Sequence, residues 1–587
     1  MEKRPLIIAI IVIAIIAGYF LIPKSGLTGK TDDWQFSPSI FEIPLLKQIS
    51  SPLLSPTQSV SPFAASPESI GYSVGGAKDI NNFRENIKNN YTPLSTDITY
   101  EGLFYDYYFD TSEKQECTKL FCPSYTYSIS RDPFSKKDEY YMSVGLNSNI
   151  KESDFHRKKL NLIIVLDISG SMGSAFNEYY YDRFGGRVPV EGSNKTDEDS
   201  GKSKMEIAKK AISSLLDHLK KDDRFGMVVF DDKAYLAKPM NLVENTDIER
   251  IKQHILNDIG PQGGTYMESG MKMGANLFKE YEGSDQSEYE NRIIFLTDAM
   301  PNIGETSEEG LFNITKKNAD NKIYTTFIGI GVDFNTELVE AITKIRGANY
   351  YSVHSSPEFK KRMDNEFEFM VTPLIFNLIL NLDAKGYEII KVYGSPEANE
   401  ATGTIMKINT LFPSKKEGAE TRGGLVLLKL KKLSNDTNLK LTVSYEDRLG
   451  NKDGNDVAVN LEEKQSDFFQ NTGIRKGILL ARYADLMKNW ISDERQNKTT
   501  ITRETGILIP RCGSSSSGLI PRCGSQYLGD KERQSIPLKV SDNYKALISE
   551  FFIYFKAETN AIGDNTLNKE VTVIEKLSSY APASQSK

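Results

Sequence analysis

The chain has 587 residues, of which 39% are apolar and 26% charged, with a formal net charge of −7. That length suits three or four domains, and a mildly acidic surface argues against a nucleic-acid partner, whose phosphates require concentrated Lys and Arg. Four histidines leave little room for a His-rich zinc site, and the cysteine pairs Cys117/Cys122 and Cys512/Cys523 lack zinc-ribbon spacing.

Outside the cell each cysteine pair suits a short disulfide loop, with free thiols as the alternative. At the start of the chain Lys3 and Arg4 precede an unbroken apolar run, Leu6 to Ile22. Its length is at the low end for a membrane span and also fits the apolar region of a signal peptide. No small-x-small cleavage site follows, so residues 1–24 are expected to be an uncleaved signal-anchor, with a cleaved signal peptide as the alternative. Positive residues on the short side place the N-terminus in the cytoplasm and the body outside. Residues 25–70, rich in Ser and Pro (SPSI, SPLLSPTQSVSPFAASPES), are read as a flexible stalk.

From residue 71 the chain takes on structured character. SVGGAKDINNFRENIKNN reads as a turn and short helix, followed by the aromatic, acidic ITYEGLFYDYYFD. YTYSISRDP and YYMSVGLNS alternate as strands do. The span 71–157 is therefore an N-terminal region whose strands are available to a sheet formed later in the chain.

Residues 158–370 alternate strands and helices, which predicts an α/β doubly wound, mostly parallel sheet. The first strand, 161–167, is an apolar, β-branched run of the kind buried in parallel sheets. A helix is predicted from Ser203 through KMEIAKKAISSLLDHLK, its apolar face formed by Met205, Ile207, Ala208, Ala211, Ile212, Leu215, Leu216 and Leu219. Ser203 and Glu206 have capping-box spacing. The second strand is 224–231, followed by a helix at 248–259 and a turn at Gly263-Gly264-Thr265. The helix after Tyr266 carries Met267, Met271 and Met273, expected as adaptable core filler. Then come IIFLTD (Ile293 to Asp298), a helix at 307–318, a strand at 322–331, a helix at 336–345 and a last strand at 350–356. His218 is expected to be a solvated or core-edge histidine.

Within this unit, Asp167, Ser169 and Ser171 follow the first strand, Thr265 lies in the Gly-Gly-Thr turn, and Asp298 ends IIFLTD. Carboxylates and hydroxyls at the C-terminal ends of parallel strands gather where α/β sheets bind ligands. An all-oxygen donor set suits a hard cation: Mg2+ first, with Mn2+ or Ca2+ as alternatives. The order Asp-x-Ser-x-Ser, Thr, Asp resembles the metal-ion-dependent adhesion site of the von Willebrand factor A family. The resemblance implies that Asp167, Ser169, Ser171, Thr265 and Asp298 are the five metal-site positions. Between Gly173 and Gly201 an insertion with Tyr179 to Tyr181 leaves the chain beside this motif, as a surface loop or as a lid that sets specificity.

After residue 370, strand-like runs recur through NLILNLDAKGYEIIKVYGSP, TGTIMKINTLFP, GGLVLLKLKKL and NLKLTVSYEDRLG, predicting a β-sandwich-like domain over 371–465. Whether the strands of 123–155 complete its sheet is left open. Residues 466–576 form a helical region. Ile474, Ile478, Leu479, Tyr483, Leu486, Met487 and Trp490 give one helix a buried face, and SDNYKALISEFFIYFK suggests a second. Between them LIPRCGS occurs twice within 508–525, too few copies for a solenoid. Residues 577–587 read as a disordered tail. The N-terminal block and the β region resemble those of bacterial membrane-anchored A-domain surface proteins.

The family resemblance implies metal-bridged binding of a partner protein that offers an acidic residue, in cell adhesion at a membrane surface. The body would be extracellular or periplasmic, or secreted if residues 1–24 are cleaved. The alternative is an accessory or scaffold subunit of a membrane complex, with a structural metal. No Walker loop or His-Glu-x-x-His is present, so no enzymatic activity is expected.

Overall fold

The computed structural model describes residues 29–37, 69–77, 80–112, 118–175, 178–179, 188–189, 201–281, 287–298, 304, 307–330, 344–353, 366–395, 397–399, 404–418, 420–435, 438–504 and 536–581. Residues 1–24, most of the 174–200 insertion, most of the helix expected at 336–345 and the LIPRCGS copies lie outside them. No helix of the described residues is long and apolar enough to cross a membrane. Cys122 is disulfide-bonded, and the other three cysteines lie outside the described residues.

The α/β domain is built around the strand Lys159–Asp167. Side chains alternate across a strand. Here Leu160, Leu162, Ile164 and Leu166 enter one apolar cluster while Ile163 and Val165 enter another. Both faces are covered by helices: Lys204–Leu215 and Ile248–Asp258 on the first, Met267–Asn276 and Glu308–Asp320 on the second. Met267 and Met271 are buried in the second cluster. Ser203 caps its helix as the sequence predicts, accepting from the Glu206 amide at 3.2 Å while the Glu206 carboxylate accepts from the Ser203 amide at 2.7 Å.

The strand pairs in parallel with Arg224–Phe230 on one side and with Tyr289–Thr297 on the other. Ile323–Ile330 and Asn349–Val353 extend the second side in parallel. The chain fills one side first and then crosses to the other, so the strand order reverses at Lys159–Asp167. That reversal opens a crevice at the C-terminal ends, where doubly wound sheets hold ligands. Two strands of this sheet were outside the predicted order. Ala234–Leu242 returns antiparallel as an edge strand because the polar turn at Asp231–Lys233 folds the chain back. Gly76–Ala77 adds to the far edge from a distant part of the chain.

A second, 11-stranded sheet carries the β domain. Ser69–Val74 pairs with Asp138–Lys151 and with Thr404–Ser414, and Asp138–Lys151 pairs with Leu425–Lys432. The N-terminal strands therefore belong to the same sheet as those after residue 370, and the α/β domain is inserted between the two halves. Beside this sheet the helices Thr472–Glu504, Asp542–Ile562 and Asn568–Ser579 pack with Asn81–Lys88 around one apolar cluster. That cluster contains all seven residues of the predicted buried face, from Ile474 to Trp490. The third helix buries Leu577, so regular structure continues into the stretch that composition alone reads as a tail.

Residues 29–37 fall inside the stretch read as stalk, yet they lie along the α/β domain. Thr31 bridges Thr246, and the Gln35 amide donates to the Ala237 carbonyl at 2.8 Å. Phe36 is buried in the main cluster, and Trp34 stacks on His254 with ring centroids 5.4 Å apart. The reason is local: Trp34 and Phe36 give this segment aromatic area to pack against the domain.

Candidate metal centre

The chain leaves the central strand at Asp167, whose carboxylate is fully buried. Its Oδ1 accepts from the Ser169 amide at 2.8 Å, an Asx-type bond that turns the chain and directs Ser169 and Ser171 to the same side. The two serine hydroxyls lie 2.9 Å apart. Asp167 Oδ2 accepts from the Thr297 hydroxyl at 2.6 Å, which ties the end of the central strand to the end of its neighbour. Asp298, the next residue after Thr297, is also fully buried.

Thr265 arrives on the crossover loop. The Gln262 amide donates to the Ile168 carbonyl at 2.6 Å, and the Gly170 amide donates to the Gly263 carbonyl at 3.1 Å. Past the threonine, the Tyr266 amide donates to the Asp231 carbonyl at 2.7 Å. Thr265 is thus fixed on both sides and is buried. Gly263 is required in this loop because its φ of +65° lies in the left-handed region, and a Cβ there would stand 2.9 Å from Asp232 Oδ2 and 3.0 Å from Asp231 Cβ. The structure places Asp167, Ser169 and Ser171 on one turn, Asp298 one position past the adjacent strand, and Thr265 on the loop bonded to that turn.

Two residues outside the predicted set complete the arrangement. Thr297 orients Asp167. Lys204, in the first turn of its helix, is fully buried and lies 3.4 Å from Asp298 Oδ2. Sequence carried a signal for it: Lys204 shares a helix face with Ala208 and Ala211, where an ammonium has no business unless an anion meets it. A cation in the first helical turn also opposes the helix dipole. Its position follows from the root of the insertion, where Ala175 bridges Ser203 and the Lys204 amide donates to the Ser174 carbonyl at 3.0 Å.

The electrostatics of the cluster are unsatisfied. Burial, reinforced by the charge of Asp298, pushes Asp167 up to about 7, against the hydrogen bonds from Thr297 and Ser169 that favour its ionised form. Asp298 Oδ1 is buried without a hydrogen-bond partner. An orphaned carboxylate oxygen beside a second buried carboxylate and two hydroxyls is a donor set that fits a hard divalent cation. No group of three or more His, Cys, Asp or Glu suited to a metal occurs among the described residues, so the hydroxyls are integral to any such set.

Comparison with known proteins places the same segment. The von Willebrand factor type A domain family matches residues 162–301. Inter-alpha-trypsin inhibitor heavy chain H4 of Homo sapiens is 23% identical over 180 residues, covering 29% of this chain and 19% of that protein. An uncharacterized protein of Synechocystis sp. is 24% identical over 228 residues, covering 36% and 44%. The chain therefore spans about a fifth of the human relative's length and less than half of the cyanobacterial one. Among solved structures, a von Willebrand factor type A protein from Catenulispora acidiphila gives a TM-score of 0.36 at 13% identity, covering 60% of this chain and 75% of that one. The ArnB paralog VWA2 from Sulfolobus acidocaldarius gives 0.33 at 14% identity, covering 78% and 97%. The chain contains a von Willebrand factor type A domain.

Proposed function

We propose that this von Willebrand factor type A domain binds a partner protein through a Mg2+-type ion, and that the chain presents it outside the cell from a single N-terminal membrane anchor. Asp167, Ser169, Ser171, Thr265 and Asp298 would hold the ion. When bound, the ion supplies positive charge and an open coordination position for a carboxylate of the partner. The observation that carries this reading is Asp298 Oδ1, a buried carboxylate oxygen with no hydrogen-bond partner at the C-terminal edge of a doubly wound sheet.

The residues themselves do the positioning. Thr297 and the Ser169 amide fix Asp167, and the bonds from Gln262 and Tyr266 fix the loop that carries Thr265. The donor set offers hydroxyls and carboxylates and no imidazole to serve as a general base, which favours binding over catalysis. The membrane anchor rests on Leu6 to Ile22 and on the basic residues before it.

The test is a Mn2+ titration of the purified full chain by calorimetry, followed by recovery of bound membrane or surface proteins in Mg2+ and in chelator. Saturable Mn2+ binding, and a partner released by chelator and absent with Asp298→Ala, are expected. A partner retained equally in chelator and by Asp298→Ala would overturn the reading.

A further inference from the structure

We infer that residues 29–37 are a docked strap that ties the α/β domain close to its own membrane with the metal-bearing end facing away, and that the Ser/Pro-rich residues beyond them are not its tether. The inference rests on the membrane-anchor reading above and deepens it. Its basis is the direction of the strap. The edge strand Ala234–Leu242 runs antiparallel to Arg224–Phe230, so Ala234 lies beside Phe230 and Leu242 beside Arg224. Phe230 in turn lies beside Asp167, which sets Ala234 at the level of the metal centre and Leu242 at the opposite end of the sheet. The strap enters at that opposite end. The Thr31 amide and hydroxyl donate to the Asn245 carbonyl at 2.8 Å and 2.9 Å, and the Asp247 amide donates to the Thr31 carbonyl at 3.0 Å. From there it climbs toward the metal centre. Asp33 accepts from the buried Lys238 ammonium at 3.1 Å and from the Asn241 amide group. The Gln35 amide reaches Ala237, and the Phe36 ring meets the Tyr235 ring edge-on with centroids 5.5 Å apart.

Length sets the consequence. Only residues 23–28 separate Gly29 from the apolar run that ends at Ile22. From Ile22 to Gly29 a fully extended chain covers at most about 25 Å, whereas a free tether over residues 25–70 would cover about 150 Å. The edge strand rises about 27 Å from Leu242 to Ala234. The end of the sheet at Asn245 is therefore held within about 25 Å of the bilayer, and the metal centre stands about one strand length beyond that point of attachment. With the metal end down, the tether would have to span the height of the whole domain, which exceeds its reach. Residues 38–68 run from the strap to Ser69 in the second sheet and add nothing to the distance between membrane and metal centre. The carboxylate that meets the ion is then carried by a partner clear of the bilayer, not by a neighbour embedded in the same membrane.

The full chain is reconstituted into phosphatidylcholine vesicles that contain a fluorescent acceptor lipid. A donor fluorophore is attached through an encoded reactive amino acid at position 221 or at position 233. Lys221 is exposed beside the entry of the strap, where its carbonyl accepts from the Glu244 amide, and Lys233 is exposed at the metal end. Energy transfer should be at least about twofold greater from 221 than from 233, as one strand length of separation requires. A Gly/Ser insert of about 20 residues after Ser25 should lower transfer from 221, and the same insert after Ser59 should leave it unchanged. Both inserts lie outside the described residues. Trp34→Ala combined with Phe36→Ala releases the strap and should make the second insert lower transfer as well.

Equal losses from the two inserts in the otherwise native chain, or transfer no greater from 221 than from 233, would overturn the inference and leave the anchor reading in place. If alkaline carbonate strips the native chain from the vesicles, the anchor reading fails and the inference falls with it.

Discussion

The two ends of the central strands bury carboxylates in opposite ways. At the N-terminal end, Asp223 is fully buried and saturated. Arg157 grips it with both terminal nitrogens, at 2.8 Å to Oδ1 and 2.5 Å to Oδ2, and the amides of Leu160 and Lys220 donate at 2.8 Å and 2.7 Å. At the C-terminal end, Asp167 and Asp298 are equally buried, but they repel each other and leave one oxygen without a hydrogen-bond partner. The Asp223 carboxylate, gripped bidentately and with both oxygens bonded, has no capacity left for a ligand. The open accounting at the top is what a site requires. Burial alone therefore does not distinguish the carboxylates at the two ends; the satisfaction of their oxygens does.

The contrast is broken most severely at the saturated end. Arg157→Ala should destabilise the α/β domain by about 3–5 kcal/mol, because it strands a buried carboxylate. Thermal or urea unfolding measures this, and a loss below about 1 kcal/mol would mean that Asp223 is held by the amides alone. Gly263→Ala acts at the other end. Its left-handed φ of +65° and the close approach of Asp231 and Asp232 predict a loss of about 1–2 kcal/mol. Weakened Mn2+ binding should accompany it, since the same loop carries Thr265.

Asp298→Asn sharpens the comparison, because here the expected change in stability is small. Removing one of two repelling charges offsets the weakened contact with Lys204, so unfolding without metal should stay within about 1 kcal/mol of native. Mn2+ affinity should fall at least about a hundredfold with the loss of a charged ligand. If this variant unfolded as readily as Arg157→Ala, Asp298 would be a structural residue like Asp223, and the distinction between the two ends would disappear.

Much of this organisation was legible in the chain. The unbroken apolar run before Asp167 marked a doubly covered strand, and the spacing Asp-x-Ser-x-Ser put three side-chain oxygen groups on one turn. Asp298 was legible because it ends a second such run. The residues that tune the cluster were not. Lys204 is separated from Ser171 by the insertion, and the bridge from Ala175 to Ser203 and the Lys204 amide bond to the Ser174 carbonyl bring it back. Thr297 gave no period or motif, since its role depends on the register that sets its strand beside the central one. The pairing of Ser69–Val74 with Thr404–Ser414 lies beyond any local signal. The docking of residues 29–37 was hidden by the serines and prolines that follow them.

A further carboxylate, Asp32, separates saturation from burial and carries the smallest expected effect. It is well bonded, accepting from Arg250 Nε at 2.7 Å and facing His254 Nε2 at 3.0 Å, while His254 Nδ1 is 2.5 Å from Asp258. Unlike Asp223 it is partly exposed. The hydrogen bond with His254 holds Asp32 below the usual carboxylate range. Desolvation lowers the His254 pKa, but the bonds to Asp32 and Asp258 outweigh it and raise the ring above its ordinary 6.5. A raised histidine pKa stabilises the folded form fully below about pH 6.5, and that contribution is lost as pH rises through the folded value. Solvent screening limits the effect to a few tenths of a kcal/mol. Amide exchange at Thr31 and Gln35, corrected for intrinsic rates, should therefore quicken modestly from pH 6 to pH 9. Asp32→Asn should return the His254 ring titration toward 6.5 and flatten that pH dependence. A His254 titration unmoved by Asp32→Asn would show that Asp258 alone sets it, and that residues 29–37 are held by Trp34 and Phe36 rather than by charge.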